Sequence, residues 1–434
     1  MNSLLSNCRK YHLLFFTSFL CWTAFGQGNS SALPLTSITL PECYEWSKNN
    51  YPLVAQLDLL ARSTQYSLSN ASKGSLPQIN INGQATYQSE VTELALDIPN
   101  IEIPTLDKDQ YKISAEVYQS LTNFSNIRSQ RNQIDLNGKL EMQQVEIDLY
   151  QLQDRVNQIY FSILLMQAKG EQLAFMEQDI DSTLARLAAA VANGTATLMD
   201  QKLLEVEKIR VSQQIQENQS NKIAFLVRLG QLTGKSIGAT TVLVKPAAIS
   251  IGDFSLNRPE LRVFDLQEQL LNVQDAQLNN RYIPEVGLFF QGGYGRPALN
   301  FLSNDFTPYY ITGLKLSWGL SSLYKTRNDR QRLSIQRQLV DTRKETFLLN
   351  TSMTQSQQDS EINKYADLIE ADEAAVALRE EIKSIAEVQL LNGLITTIDY
   401  IKILNDANRA QQELELHETM QLQAQYNLKT TTGN

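Results

Sequence analysis

The strongest constraint on the fold is the placement of proline. Prolines fall at positions 34, 41, 52, 77, 99, 104, 246, 259, 284, 297 and 308, leaving two proline-free tracts, 105–245 and 309–434. Proline removes a backbone donor and clashes with the preceding turn, so long helices are permitted only in those tracts. Periodicity fills them. Val145, Leu149, Leu152, Val156, Ile159, Ile163 and Met166 alternate spacings of four and three, and Leu173, Met176, Ile180, Leu184, Leu187 and Val191 resume the stripe. That is coiled-coil spacing. It predicts a helix from about Asn126 to about Ala192, on the order of 100 Å long at 1.5 Å per residue.

The chain is also duplicated. Asn50-Tyr51-Pro52 and Asn257-Arg258-Pro259 open similar segments, and Leu76-Pro77 and Ile283-Pro284 follow at the same shift of 207 residues. Downstream the shift is 199: Tyr111 with Tyr310, Leu121 with Leu320, Arg128 with Arg327, Arg131 with Arg330, and Asn193-Gly194 and Asp200 with Asn392-Gly393 and Asp399. A repeat this long makes each half one structural unit. The expected organisation is a signal peptide over 1–26, a first repeat over 27–250 and a second over 251–434. The change in shift falls between Pro77 and Tyr111, in an expected hairpin loop.

Each half also carries two segments of period-two alternation. Ile79, Ile81, Gly83, Ala85 and Tyr87 interleave with Asn80, Asn82, Gln84, Thr86 and Gln88; Ile113, Ala115 and Val117 alternate with Lys112, Ser114 and Glu116. In the second half come Val286, Leu288, Phe290 and Tyr294, then Leu314, Leu316 and Trp318 beside Lys315 and Ser317. Such strands suit a barrel wall, apolar to lipid and polar to the lumen, or a soluble sheet with one wet face. Tyr87, Tyr111, Tyr118, Tyr282, Tyr294, Tyr309, Tyr310 and Trp318 flank them as an interfacial girdle would. Four strands cannot close a barrel, whereas three copies would supply twelve. No later stretch is apolar enough for a transmembrane helix.

Composition narrows the chemistry. Of 434 residues, 47 are acidic and 38 basic, for a net charge of −9, a poor balance for a nucleic-acid partner. Arg9 and Lys10, the apolar run Leu13–Leu20 and Ala24-Phe25-Gly26 read as a secretory signal ending before Gln27. Cleavage removes Cys8, Cys21 and His12, leaving Cys43 without a disulfide partner and His417 as the one imidazole; a lipid anchor on Cys21 is the rival reading. A multi-histidine metal site is then excluded, no cofactor is implied, and a hydrolase built on His417 has no nucleophile motif behind it. A soluble periplasmic coiled-coil scaffold is the alternative to a channel.

An Asn-x-Pro helix start, a Leu-Pro or Ile-Pro strand entry, a hairpin, a long helix, an Asn-Gly turn and a returning helix, used twice from about Ser37 to Thr430, resemble the TolC-type outer-membrane efflux factors. The resemblance implies a mostly α fold with β: a homotrimer with a 12-stranded barrel in outer-membrane lipid and a helical tunnel across the periplasm. It implies a passive exit duct for efflux or type I secretion, meeting a periplasmic adaptor protein and an inner-membrane pump of RND or ABC type. The tip turns at Asn193, Gly194 and Thr195 and at Asn392, Gly393 and Leu394 become adaptor-docking candidates. The glycines equally serve as left-handed helix caps.

Asp399 lies where the resemblance puts an acid in a constricting ring, with Asp406 seven residues on and Asp200 as its counterpart on the other hairpin. The family's second acid, three residues after the first, is replaced here by Lys402, which can pair with Asp399 or temper selectivity. Asp399 is otherwise a solvated acid at a helix start, and Asp200 reads as structural.

Overall fold

The structure is a computed structural model that describes residues 37–92, 106–249, 255–300 and 302–434. The expected signal peptide, its cysteines and Pro99 and Pro104 lie outside the described residues. The elements are β1 (Ser37–Ile38), α1 (Leu40–Asn50), α2 (Val54–Lys73), β2 (Gln78–Tyr87), β3 (Asp109–Ser120), α3 (Phe124–Tyr150), α4 (Leu152–Ala192), α5 (Leu198–Thr233), β4 (Val242–Leu243), α6 (Pro259–Asn279), β5 (Glu285–Arg296), β6 (Thr307–Ser317), α7 (Leu323–Leu391) and α8 (Thr397–Thr432). Helices lie where proline is absent, and Pro41 and Pro259 sit in first turns, where the missing donor costs nothing.

The four long strands form one antiparallel sheet in the order β2-β3-β5-β6. Its register runs rows of like residues across all four strands: Ile81 opposite Ala115, Ala115 opposite Gly292, Gly292 opposite Tyr310. The neighbouring row, Asn82, Ser114, Gly293 and Tyr309, is on the other face. Alternation thus separates an apolar from a polar face as the sequence predicts, with one correction. Tyr118 and Tyr309 belong to the polar face, where Lys315 and Lys112 lie over their rings, so they are not girdle residues. Among the described residues the apolar face is covered only near its upper end, where Phe306 stacks on Tyr111 and Tyr294; Ile79, Ile81, Tyr310, Leu314 and Leu316 are each at least 69% exposed.

Below the sheet, α2, α3, α6 and α7 pack side by side; farther down, α4 pairs with α5 and α7 with α8. The 69-residue α7 is about 100 Å long. The rod expected over 126–192 is interrupted at Gln151, whose N–H reaches both Ile147 and Leu149 carbonyls. The break falls where the rod changes partners, from α2 and α6 to α1, α5 and α8. At this level Ile38, Cys43, Val156, Tyr160, Leu229 and Leu243 form a core, and Tyr160 directs its hydroxyl at the carbonyls of Ile38 and Val244, 2.9 and 2.7 Å away. Those contacts hold the two-residue parallel pair of β1 and β4, which period-two reasoning cannot detect.

The Asn-x-Pro motifs have a structural role. Asn50 Nδ2 donates to the carbonyls of Gln231 and Leu232 at the end of α5, and the Asn257 N–H donates to Thr432 O (2.8 Å) at the end of α8. Each satisfies acceptors that a helix terminus leaves open. Both helices finish in left-handed glycines, Gly234 and Gly433, packed against Asn50 and Asn257.

Candidate functional site

The two tips are Schellman turns. Gly194 (φ 75°) and Gly393 (φ 68°) adopt the left-handed conformation that glycine accommodates without strain. Thr195 N–H donates to Ala190 O (2.8 Å) and Gly194 N–H to Val191 O (3.1 Å); at the second tip Leu394 N–H donates to Gln389 O (2.9 Å) and Gly393 N–H to Leu390 O (3.0 Å). Asn193 and Asn392 are the C-caps, and Asn392 Nδ2 also returns to Val388 O at 2.9 Å. Leu198, Met199, Leu394 and Ile398 stand exposed beside the turns. The tips are therefore rigid in backbone and apolar in side chain.

Each returning helix starts with a capping box. Thr197 Oγ1 accepts from Asp200 N–H (3.2 Å) while the Asp200 carboxylate accepts from the Thr197 N–H and hydroxyl. Thr396 and Asp399 repeat the arrangement, with a 2.6 Å bond from Thr396 Oγ1 to Asp399 Oδ2. Asp399 is exposed at the tip and held by Thr396. Lys402 is exposed and makes no ion pair among the described residues, so the pairing of Lys402 with Asp399 weighed from sequence is not formed. One oxygen of the acid, Oδ2, is engaged by its own helix start.

Asp200 does more than its counterpart. Its second oxygen, Oδ1, accepts from Thr397 Oγ1 at 2.7 Å, joining the start of α5 to the start of α8. The hydroxyls of Thr197 and then Thr397 hold its carboxyl below the usual carboxylate value. Above this lies a core shared by four helices, with Ile180, Leu187, Leu204, Leu390, Tyr400 and Leu404 buried in it. Polar links cross between the hairpins at its edge. Thr183 Oγ1 lies 3.1 Å from Tyr400 OH and donates to Glu387, which also pairs with Arg186. Lys383 reaches Asp179 (3.0 Å) and Glu380 (2.6 Å). Buried Glu207, on α5, takes Arg210 and Asn405; within the second hairpin, Asp406 on α8 takes Arg379 of α7 at 3.3 Å.

Sequence reasoning singled out Asp200, Asp399 and Asp406 but missed what connects the hairpins. Thr183, Glu387, Lys383 and Asn405 are ordinary polar residues on helical faces, and their partners lie about two hundred residues away in sequence. The hydrolase candidate also finds another role: His417 Nδ1 lies 2.5 Å from Asp372 Oδ2, between α8 and α7. It is half-buried and bonded to that carboxylate.

No protein-family model and no curated protein sequence matches the chain. Solved structures do. The outer membrane protein VceC from Vibrio cholerae superposes with a TM-score of 0.65 at 14% identity, covering 91% of this chain and 96% of that one. CusC, whose structures concern folding and transmembrane channel formation, gives 0.69 at 12% identity with 91% of each chain covered. The open-state outer membrane channel MtrE of Neisseria gonorrhoeae gives 0.65 at 11% identity, covering 91% and 89%. Over 91% of its length the chain has the fold of these outer-membrane proteins, the fold that the TolC-type resemblance implies.

Proposed function

We propose that the protein is the outer-membrane channel of an efflux or type I secretion system, a passive duct that three copies form together. The observation that carries this reading is the bare apolar face of a sheet whose outer strands, β2 and β6, each have one unpaired edge. In lipid every backbone group must find a partner, and only closure satisfies two open edges. Other copies of the same sheet provide that closure, the apolar face turns to lipid, and the polar face lines a water-filled path.

The helices support the same assembly. α7 fully buries only Thr326, Leu333, Ile362, Ala386 and Leu390 along its length, while Leu378, Ile382 and Ile385 form an exposed stripe at spacings of four and three. A helix that leaves such a stripe bare is stabilised by neighbouring helices. In the trimer the rods continue the lumen through the periplasm. The tips, with Asn193, Gly194, Thr195, Asn392, Gly393 and Leu394, meet an adaptor protein and behind it an inner-membrane pump of RND or ABC type.

The constriction lies at the same tips. Three exposed copies of Asp399 around an axis concentrate negative potential, with Asp406 one heptad farther in and Lys402 between them moderating it. Asp200 acts on the constriction through Thr397. Single-channel conductance of purified protein in a planar bilayer under a salt gradient tests the reading. Discrete cation-preferring openings are expected; a protein that stays soluble without detergent, as a periplasmic scaffold would, overturns it.

A further inference from the structure

At the lower rim of the sheet, aromatic and basic side chains recur in a fixed order in both halves of the chain. On α3, exposed Phe124 is followed at four and seven residues by Arg128 and Arg131, which share its face. On α7, exposed Tyr324 is followed by Lys325 and Arg327. Both helices descend from the sheet, so at 1.5 Å per residue Arg128 and Arg131 lie roughly 6–10 Å below Phe124, and Lys325 and Arg327 roughly 2–5 Å below Tyr324. Just above, one residue past the end of β6, Trp318 continues the alternation of Leu314 and Leu316 and donates its indole N–H to Arg281 O at 3.4 Å.

These cations stand without acids. Asp135 is paired with Lys139 (2.7 Å), Asp329 with Arg281 (2.7 Å), and Asp275 with Arg330 and Arg337. Glu285, at the start of β5, lies on the polar face and accepts from Tyr118. Arg128, Arg131, Lys325 and Arg327 have no ion pair among the described residues, in a chain whose net charge is −9. An acidic protein that keeps four exposed cations unpaired at one level presents them to an anion outside itself.

We propose that this band binds the headgroups of anionic phospholipids in the leaflet facing the periplasm, fixing the depth of the channel in the membrane. The inference rests on the membrane reading of the sheet. Aromatic rings at the ester level with cations one step farther toward water match the polarity gradient of a phospholipid surface. Phosphodiester anions supply the charge that Arg128 and Arg327 lack.

Trp318 is the reporter. The purified protein in a Trp46→Phe background is placed in bilayers of phosphatidylcholine mixed with phosphatidylglycerol, with one or the other lipid brominated, and Trp318 quenching gives their relative affinity at the protein surface. The expected result is a preference for phosphatidylglycerol on the order of five- to tenfold, weakened by salt. It should fall to near unity in R128Q/R131Q/K325Q/R327Q, with quenching by brominated phosphatidylcholine retained. Equal preference in parent and variant, or none in the parent, overturns the inference while leaving the membrane reading intact. Absence of quenching by either lipid overturns both.

Discussion

Asp200 and Thr397 meet across the hairpin tips, the Thr397 hydroxyl donating to Asp200 Oδ1 at 2.7 Å. The contact ties the first turns of α5 and α8, and Thr397 is wholly buried. The other oxygen of Asp200 is committed to Thr197. One carboxylate therefore caps its own helix and holds the neighbouring hairpin.

Thr397→Val removes only the second of these bonds and keeps the shape. The expected cost is about 1 kcal/mol of stability, with a higher open probability in single-channel records. The pH dependence has a definite sign. Because the folded carboxyl is held below its ordinary 3.8, the bond is fully present above that value and is lost as pH falls through the depressed one. Records between pH 5 and 8 should show no acid-driven opening from this contact.

Lys383 gives the opposite window. Burial alone would lower its pKa, but the Glu380 and Asp179 carboxylates outweigh it and raise the value above 10.5. Its contribution is whole below 10.5 and is lost as pH rises through the folded value. Lys383→Met should destabilise the protein by about 1 kcal/mol at neutral pH, and thermal unfolding of the two proteins should converge under strongly alkaline conditions. Lys383→Arg should remain close to the parent there.

The sequence disclosed the parts of the fold that follow a period or a punctuation mark. Period-two alternation located β2 and β3 because apolar and polar residues alternate along them onto opposite faces, and Asn-Gly marked both tips because only a left-handed residue closes a Schellman turn. The β1–β4 pair, two residues per strand, is too short to carry a period. Tyr118 and Tyr309 were misassigned because an aromatic at a strand end does not declare its face until register is fixed. At the site, the acids were visible by position, but the Thr183–Tyr400 and Glu207–Asn405 contacts depend on how two hairpins dock.

The left-handed glycines divide into two classes. A Cβ on Gly194 or Gly393 meets nothing within 4 Å, whereas one on Gly234 collides with Asn50 and one on Gly433 with the backbone at Asn257. Gly194→Ala should cost about 1–2 kcal/mol, the penalty of the left-handed backbone alone. Gly234→Ala should cost more, because it also displaces the side chain that caps α5. Equal shifts in chemical denaturation would mean that Asn50 moves aside freely.

Asp399 combines a charge with a cap, and two substitutions separate them. Asp399→Asn keeps an acceptor for the Thr396 N–H but removes the charge; Thr396→Val removes the cap, worth about 1 kcal/mol, and keeps the charge. In a constriction ring, Asp399→Asn lowers cation selectivity with little change in melting, and Thr396→Val does the reverse. Reversal potentials unchanged by Asp399→Asn would shift the constriction to Asp406, where Arg379 already offsets part of the charge.

Neighbouring positions on one strand test the orientation of the sheet. Ile81 is 74% exposed in a row with Ala115, Gly292 and Tyr310, and Asn82 shares the opposite face with Ser114 and Gly293. A lysine at the bilayer midplane costs about 2–4 kcal/mol on the lipid face of a barrel, whereas the lumen accepts it. Ile81→Lys should therefore reduce the fraction of protein that floats with vesicles, and Asn82→Lys should leave flotation intact while lowering the cation preference of the pore. Both substitutions leave the ladder hydrogen bonds in place, so a folding defect common to the pair would appear in both. If Ile81→Lys floats as well as Asn82→Lys, the apolar face is covered by protein, and the sheet belongs to a soluble assembly.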